Sequence, residues 1–385
     1  MRSLTLAANA VPGLGGQGQN LAQMSEGLRE TFDLRVVCRT AGGGGAAGRD
    51  RVEPSRLVEA VRRVPLLRRR QDWLTHRADA HFDRAVAARL GGGRTDLFQG
   101  VTGQCLESLG AARRHGARTV VDSITQHIAF LGAAMDAECA RFGVRPPLGR
   151  AWRARAEAEY GRADLIRVMS VVAQRSFLER GFPPERVAVV PPHLRAGAFQ
   201  GAAAAPGVFR IGFVGLLEPW KGFHYLIEAV ARLARRDVQL VLWGGPGSRP
   251  VSRYLREAMA RDARILLRPV SVHAEGFAAV YGTTSVLVLP SLADGFGLVV
   301  AEAMACGVPV IVSTAAGAAD LVSDGLEGFL VPPADRDAIA DRLEYLIDHP
   351  ARLAEMGAAA RTRAAALTLD AFRSRYVPRL EALLP

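Results

Sequence analysis

Two α/β domains, each a parallel sheet covered on both faces by helices, are the fold class this sequence predicts. Three observations carry it. A chain of 385 residues, 49% of them apolar, is too long for one ordinary core and about right for two. Short β-rich runs alternate with stretches of helical spacing along the chain, the pattern of parallel strands joined by helices. The segment Ala196–Pro206 (AGAFQGAAAAP) is low in complexity and closed by proline, and it separates two halves that each show that alternation.

In the first half, Ser3–Ala8 reads as a strand, Gly13–Gly18 as a loop and Asn20–Arg29 as a helix. Leu34–Cys38 follows as a strand and Ala41–Gly48 as a glycine- and alanine-rich loop. Arg51–Trp73 is basic and amphipathic, with Arg62, Arg63, Arg68, Arg69 and Arg70 among Val61, Val64, Leu66 and Leu67. It reads either as a surface for anionic lipid or a lipid-linked acceptor, or as a solvated helix face broken at Pro65. Strands are expected at Leu97–Gln99, Thr119–Val121, Leu165–Val168 and Val187–Val190. Helices fill the gaps, notably Leu148–Tyr160 and Val172–Arg180.

In the second half, Arg210–Val214 is a strand, Gly222–Ala234 a helix, and Val238–Trp243 a strand running into Gly244-Gly245-Pro246-Gly247. Ser285–Pro290 is a strand. Leu298–Cys306 is a helix stopped by Gly307 and Pro309, and Val310–Ser313 is the next strand. Ala334–Asp348, Pro350–Ala366 and Leu369–Leu384 are helices. The expected organisation is residues 1–195, a linker 196–206, residues 207–367, and a terminal helix 368–385.

The net charge is +11. Nucleic acid, a membrane surface and anionic substrates all fit such a balance, but the chain has a single lysine, Lys221, and only two asparagines, Asn9 and Asn20. Much of the arginine therefore reads as codon bias, and the lone lysine stands out. No aromatic interleaving supports a nucleic-acid partner. No apolar run reaches the roughly 18–20 residues that span a bilayer. The scattered cysteines Cys38, Cys105, Cys139 and Cys306 show no metal spacing, as in a reducing, cytoplasmic protein.

Ligands of open parallel sheets sit past the carboxyl ends of the strands. The glycines Gly15-Gly16, Gly215, Gly244-Gly245 and Gly295-Phe296-Gly297 fall at such ends, where the N-terminus of a following helix offers free amides to an anion. Lys221 sits beside a glycine in one such turn, a candidate phosphate contact. Asp294 and Glu302 are separated by seven residues. Glu302 lies among Ala301, Ala303, Met304 and Ala305, where an ionised carboxylate is costly without a partner. A ribose diol would be one; a surface glutamate beside an aspartate cap is the alternative. No G-x-G-x-x-G with a following acidic residue marks a nicotinamide site. Asp335 and Asp337, after a proline pair at a helix start, read as caps and not as a metal-binding D-x-D.

The segment PSLADGFGLVVAEAMACGVPVIVS (Pro290–Ser313) resembles the donor-site signature of the family 4 retaining glycosyltransferases. FVGLLEPWKG (Phe213–Gly222) resembles that family's phosphate-binding turn, and LVLWGGPG (Leu240–Gly247) its nucleotide-loop strand. EAEYGRADLIRVMS (Glu157–Ser170) and AVVPPHL (Ala188–Leu194) resemble the run and hinge that close its first domain. The likeness is strong from about Glu157 to Pro333 and weaker before. It implies the GT-B fold, with two Rossmann-like domains facing a cleft and the terminal helix crossing back to the first. It implies a hexose-type sugar moved from a nucleotide-diphosphate donor to a glycan, lipid-linked or small-molecule acceptor, with no metal or other cofactor. A UDP-sugar is the first donor expected and a GDP-sugar the next. By position, Lys221 would bind the diphosphate, Glu302 the ribose hydroxyls and Asp294 the transferred sugar. Gly215, Gly245 and the backbone of Gly295, Phe296, Gly297 and Leu298 would line the donor, and Gly15 and Gly16 would approach the diphosphate. His127 would match a histidine near the sugar. The implied location is the cytoplasm, with a peripheral contact at the inner membrane face through the basic first domain. Two departures stand out. Leu216 occupies a position where arginine is usual, with Arg210, Arg249 or Arg268 as candidate substitutes, and Asp294 replaces a glutamate. They leave open a nucleotide-binding subunit without catalysis.

Overall fold

The computed structural model describes residues 1–39, 49–64, 70–195, 208–268 and 280–385. The loop Ala41–Gly48, the linker Ala196–Pro206 and the 65–69 part of Arg51–Trp73 lie outside the described residues.

Residues of the first half build one parallel sheet in the order β3-β2-β1-β4-β5-β6-β7. Its strands are β1 Ser3–Ala8, β2 Asp33–Arg39, β3 Arg49–Val52, β4 Leu97–Val101, β5 Arg118–Ser123, β6 Leu165–Val168 and β7 Val187–Val189. Its helices are α1 Gly15–Leu28, α2 Arg56–Arg62, α3 Gln71–Leu90, α4 Leu106–Arg114, α5 Ile128–Arg141, α6 Arg150–Arg162 and α7 Val171–Leu178. The second sheet is also parallel, in the order β10-β9-β8-β11-β12-β13. Its strands are β8 Phe209–Val214, β9 Val238–Trp243, β10 Ile265–Arg268, β11 Val286–Leu289, β12 Val310–Ser313 and β13 Gly328–Val331. The helices that follow are α8 Phe223–Arg232, α9 Arg249–Arg261, α10 Leu298–Ala305, α11 Arg336–Asp348, α12 Pro350–Ala364 and α13 Leu369–Glu381. In each sheet the winding reverses next to the first strand, between β1 and β4 and between β8 and β11. Those are the points where a parallel sheet opens a crevice for ligand.

Strands buried on both faces explain the near-continuous apolar runs. Ile211, Phe213, Leu240 and Leu242 pack under Leu226 and Val230 of α8, and Leu343 and Leu346 of α11. On the other face, Val214, Leu287 and Leu289 meet Val300 and Met304 of α10 and Ala360 of α12. In the first sheet, Leu4, Leu6 and Ala8 meet Met24 and Leu28 of α1, together with Phe372, Tyr376 and Leu380 of α13. The last helix thus completes the core of the first unit. Phe372 fills the space where a Cβ at Gly27 would lie 2.2 Å from its ring, and the Tyr376 hydroxyl donates to Gln99 Oε1 at 2.8 Å.

Helix ends follow local chemistry. Asp335 accepts from the Ala338 amide at 2.9 Å, the cap expected of it, while Asp337 pairs with Arg232. Such a cap contributes about 1 kcal/mol. Two expectations change. The first helix begins at Gly15, inside the stretch read as a loop, because glycines there leave its opening amides uncapped without breaking the turn. Arg51–Trp73 is not one amphipathic helix: it holds the end of β3, then α2 capped by Ser55, then the start of α3.

A candidate active site between the two sheets

The second sheet supplies most of the cleft. Past β8 the chain turns at Gly215 (φ 143°), and past β9 it turns at Gly244 (φ 154°). A Cβ on Gly244 would lie 1.9 Å from Gly215 O, so only glycine lets the two turns touch. The Leu217 amide then donates to Gly245 O at 3.0 Å. The short turn Pro219–Lys221 ends at Gly222 (φ 72°), whose Cβ would lie 2.1 Å from Pro290 O. That close approach delivers Lys221 to the loop after β11, and its Nζ stands 2.5 Å from Asp294 Oδ2. Residues 73 apart in sequence are thereby joined.

The loop continues through Gly297 in a left-handed conformation (φ 86°) into α10, which has no side-chain cap. Phe296 is buried in the core, so its backbone, not its ring, faces the cleft. Glu302 lies one turn into α10, 5% exposed, and accepts from the Tyr281 hydroxyl at 2.8 Å. Burial pushes its carboxyl up to about 7, opposed by the Tyr281 hydrogen bond. Burial likewise lifts Glu218, on the lysine turn, to about 6, with Lys221 opposing.

Leu216 is 65% exposed at the end of β8. Of the proposed substitutes for a second cation, Arg210 is excluded. It lies at the start of β8, the sheet edge opposite the cleft, and its guanidinium donates to Gln239. Arg249 opens α9 and Arg268 ends β10, both on the ligand edge.

On the first sheet, Gly15 (φ 64°) and Gly16 form the open first turn of α1, with empty space where side chains would stand. Beside them, Asn9 donates its amide to Gln104 Oε1 at 2.7 Å and its Nδ2 to Asp79 Oδ1 at 2.8 Å. Gln104 donates to Gln17 Oε1 at 3.1 Å, and Trp152 Nε1 donates to Asp79 Oδ2 at 2.8 Å. These groups make a polar floor past the ends of β1 and β4. His127 caps α5, its Nδ1 accepting from the Ala129 amide at 3.2 Å. The ring packs against Tyr160, Phe177 and Phe182. Burial, and then Arg180, depress its pKa to about 4. The imidazole is therefore neutral near pH 7, with its proton on Nε2.

The carboxyl edges of the two sheets face each other. A Cβ on Gly295 would lie 2.1 Å from Ile124 O, and Gln126 Nε2 donates to Ala315 O at 2.6 Å. The structure thus brings together Lys221, Asp294, the 295–297 backbone and the turn that leads into His127. Glu302 stands apart from that contact, held by Tyr281. Sequence reasoning missed Tyr281, Glu218 and Asn9. Of these, Glu218 carried a signal, since it shares the glycine turn with Lys221.

Comparison with known proteins agrees with this geometry. Residues 208–349 match the family model described as glycosyl transferases group 1, and residues 15–193 match one described as a glycosyl transferase 4-like domain. The chain is 31% identical over 252 residues to the D-inositol 3-phosphate glycosyltransferase of Pseudarthrobacter chlorophenolicus, covering 58% of this chain and 60% of that one. It is 32% identical over 198 residues to the protein of the same name from Rhodococcus erythropolis, covering 47% and 45%. The alignments thus span 60% or less of those relatives' lengths. Among solved structures, HepE of Anabaena, in complex with UDP and glucose, superposes with a TM-score of 0.73 at 17% identity over 99% of this chain and 100% of that one. Sucrose-phosphate synthase from Thermosynechococcus elongatus gives 0.76 at 19% identity over 100% and 99%. The fold they share with this chain is GT-B.

Proposed function

Because the chain belongs to the glycosyl transferases group 1 family, we propose that it moves a hexose from a nucleoside-diphosphate donor to an acceptor hydroxyl. The observation that carries the reading is the meeting of Lys221 with Asp294 at the ligand edge of the second sheet. UDP-sugar is the donor of choice and GDP-sugar the next; the relative solved with UDP and glucose supports that order. The acceptor is a polyhydroxyl compound, whether a glycan, a lipid-linked glycan or a small molecule, lying over Asn9, Gln17 and Gln104.

In this reading Lys221 neutralises the departing diphosphate, aided by the uncapped amides opening α1 at Gly15 and Gly16 and α10 at Leu298. Asp294 accepts from hydroxyls of the sugar, and Glu302 accepts from both ribose hydroxyls. His127 donates from Nε2 to the sugar. The acceptor oxygen attacks the anomeric carbon from the face the diphosphate leaves, and its proton passes to the leaving phosphate oxygen. The old carbon–oxygen bond breaks as the new one forms on the same side, so configuration is retained. Lys221 fills the role a divalent cation would otherwise play, and the reaction runs without one. Leu57 (58% exposed) and Val64 (43% exposed) stand among Arg56, Arg62 and Arg63, which supports a peripheral contact with an anionic membrane. Among the described residues no helix is long and apolar enough to cross one.

A thermal-shift panel with UDP, GDP, ADP and NAD tests the donor site. One nucleoside diphosphate should stabilise the protein, by about 2.7 kcal/mol at a hundredfold excess over Kd. Lys221→Ala and Glu302→Ala should each cut the shift to a small fraction of the wild-type value at the same nucleotide concentration. Absence of any shift in the wild type would sink the donor reading. Exposed Leu216, where a cation is usual, favours a second reading, a subunit that binds nucleotide but transfers nothing; a shift without turnover would select it. For the acceptor floor, Asn9→Ala should raise acceptor KM about tenfold, as loss of roughly 1.4 kcal/mol of hydrogen bonding implies, with the nucleotide shift unchanged.

A further inference from the structure

Resting on that functional reading, we infer that Asp320 and Ser170 are positioning residues that fasten the sugar-contacting loop 294–297 to the opposite domain. The segment after β12 runs parallel beside this loop, with a bridge between Asp294 and Ala316. The Gly317 amide donates to Asp294 O at 2.9 Å, and the Ala318 amide donates to Phe296 O at 2.5 Å. Loop and segment therefore move as one piece, and two side-chain contacts tie that piece to α7 of the first domain. The Ser170 hydroxyl donates to Gly295 O at 2.8 Å, while the same oxygen caps α7 by accepting from the Ala173 amide at 3.0 Å. Asp320 reaches across from the other domain and accepts from the Val171 amide at 2.5 Å.

The N-terminus of α7 is thus capped twice, once by its own serine and once by a carboxylate from the facing domain. A carboxylate there also meets the positive end of the helix dipole. Glycine is required at the seam: a Cβ on Gly317 would lie 2.2 Å from Gly295 O and 2.5 Å from Ser170 Oγ. Ribose is assigned to Glu302, which the seam does not touch, and Lys221, assigned to the diphosphate, meets the fastened loop only through the side chain of Asp294. Only the sugar is assigned to Asp294, the residue next to the fastened carbonyl. Loosening the seam should therefore be felt by the sugar far more than by the nucleotide.

The test is calorimetric titration of wild type, Ser170→Ala, Asp320→Ala and Asp320→Asn with UDP and with UDP-glucose. Asp320→Ala and Ser170→Ala should keep UDP affinity within about twofold of wild type. The ratio of UDP-glucose to UDP affinity should fall about tenfold. Asp320→Asn, which keeps one acceptor oxygen, should restore most of the ratio. An unchanged ratio in both alanine variants overturns the inference and leaves the functional reading standing. Equal weakening of both ligands together with a lowered Tm also overturns it, since that is a structural role alone. A wild type that binds neither ligand overturns the functional reading itself.

Discussion

Lys221→Ala is expected to lower the transfer rate by two to three orders of magnitude. The residue is the only lysine in the chain, and its ammonium stands at the ligand edge of the second sheet, 29% exposed and within 2.5 Å of Asp294 Oδ2. An ammonium offers three donors. It can hold Asp294 and still meet two phosphate oxygens when a diphosphate arrives. Removing one preorganised group aimed at developing charge costs about 3–4 kcal/mol of transition-state stabilisation. Leu216 provides no second cation on the same turn, so little compensation is at hand. Lys221→Arg is expected to recover only part of the loss, because a planar guanidinium does not reproduce a compact point charge. Single-turnover kinetics with saturating donor separates this from a binding defect: the chemical step must slow. Unchanged single-turnover rates would remove Lys221 from the chemistry.

Glu302→Gln is expected to stabilise the nucleotide-free protein while crippling the nucleotide site. Burial raises the carboxyl from 4.5 to about 7. The folded state therefore holds a proton that the unfolded chain has released, and stability declines as pH rises from about 4.5 through about 7. Above pH 7 the full penalty applies, on the order of 3 kcal/mol at 1.36 kcal/mol per pKa unit. Glutamine keeps an acceptor for Tyr281 and never ionises. Urea denaturation at pH 8 should show a gain approaching that figure, and at pH 4.5 almost none. Nucleotide binding should move the opposite way. A carboxylate can accept from both ribose hydroxyls, and charge-assisted bonds are the strong ones; the amide keeps one acceptor, so affinity should fall about ten- to a hundredfold. Wild-type affinity should also weaken as pH drops from 8 to 6, and the variant's should not. Equal pH profiles for the two proteins would show that Glu302 does not meet the ribose as an anion.

The residues that meet at Lys221 and Asp294 were legible because they sit in short contiguous runs. A glycine turn, a lone lysine beside it, and a carboxylate stranded among alanines each carry their reason within a few residues. What escaped were partners brought in from afar. Tyr281 precedes Glu302 by 21 residues, and Ser170 meets Gly295 across 125; no local pattern encodes either contact. Arg210 was misjudged for a reason the sequence did contain. A residue opening a parallel strand lies at the sheet edge away from the ligand, and β8 starts at Phe209. The first helix was placed late because Gly15 and Gly16 are poor helix formers, yet at a helix opening that weakness costs little and leaves the amides free. The basic stretch near Arg51–Trp73 fails as a single amphipathic helix because Glu53-Pro54-Ser55 is a break and cap.

The way α13 completes the first core has an evolutionary consequence. Domain shuffling is often pictured as cutting a chain once between two modules. Here the first module is discontinuous: its last structural layer, α13, follows the whole of the other module along the chain. Phe372 and Tyr376 are fitted to Gly27 and Gln99 of this chain. A recombinant that exchanges residues 1–195 alone would inherit a foreign α13 over its β1 face. On the proposed function, new acceptor preferences are therefore more readily reached by substitution around Asn9 and Gln104 than by swapping modules, unless residues 1–195 and α13 are exchanged as a pair.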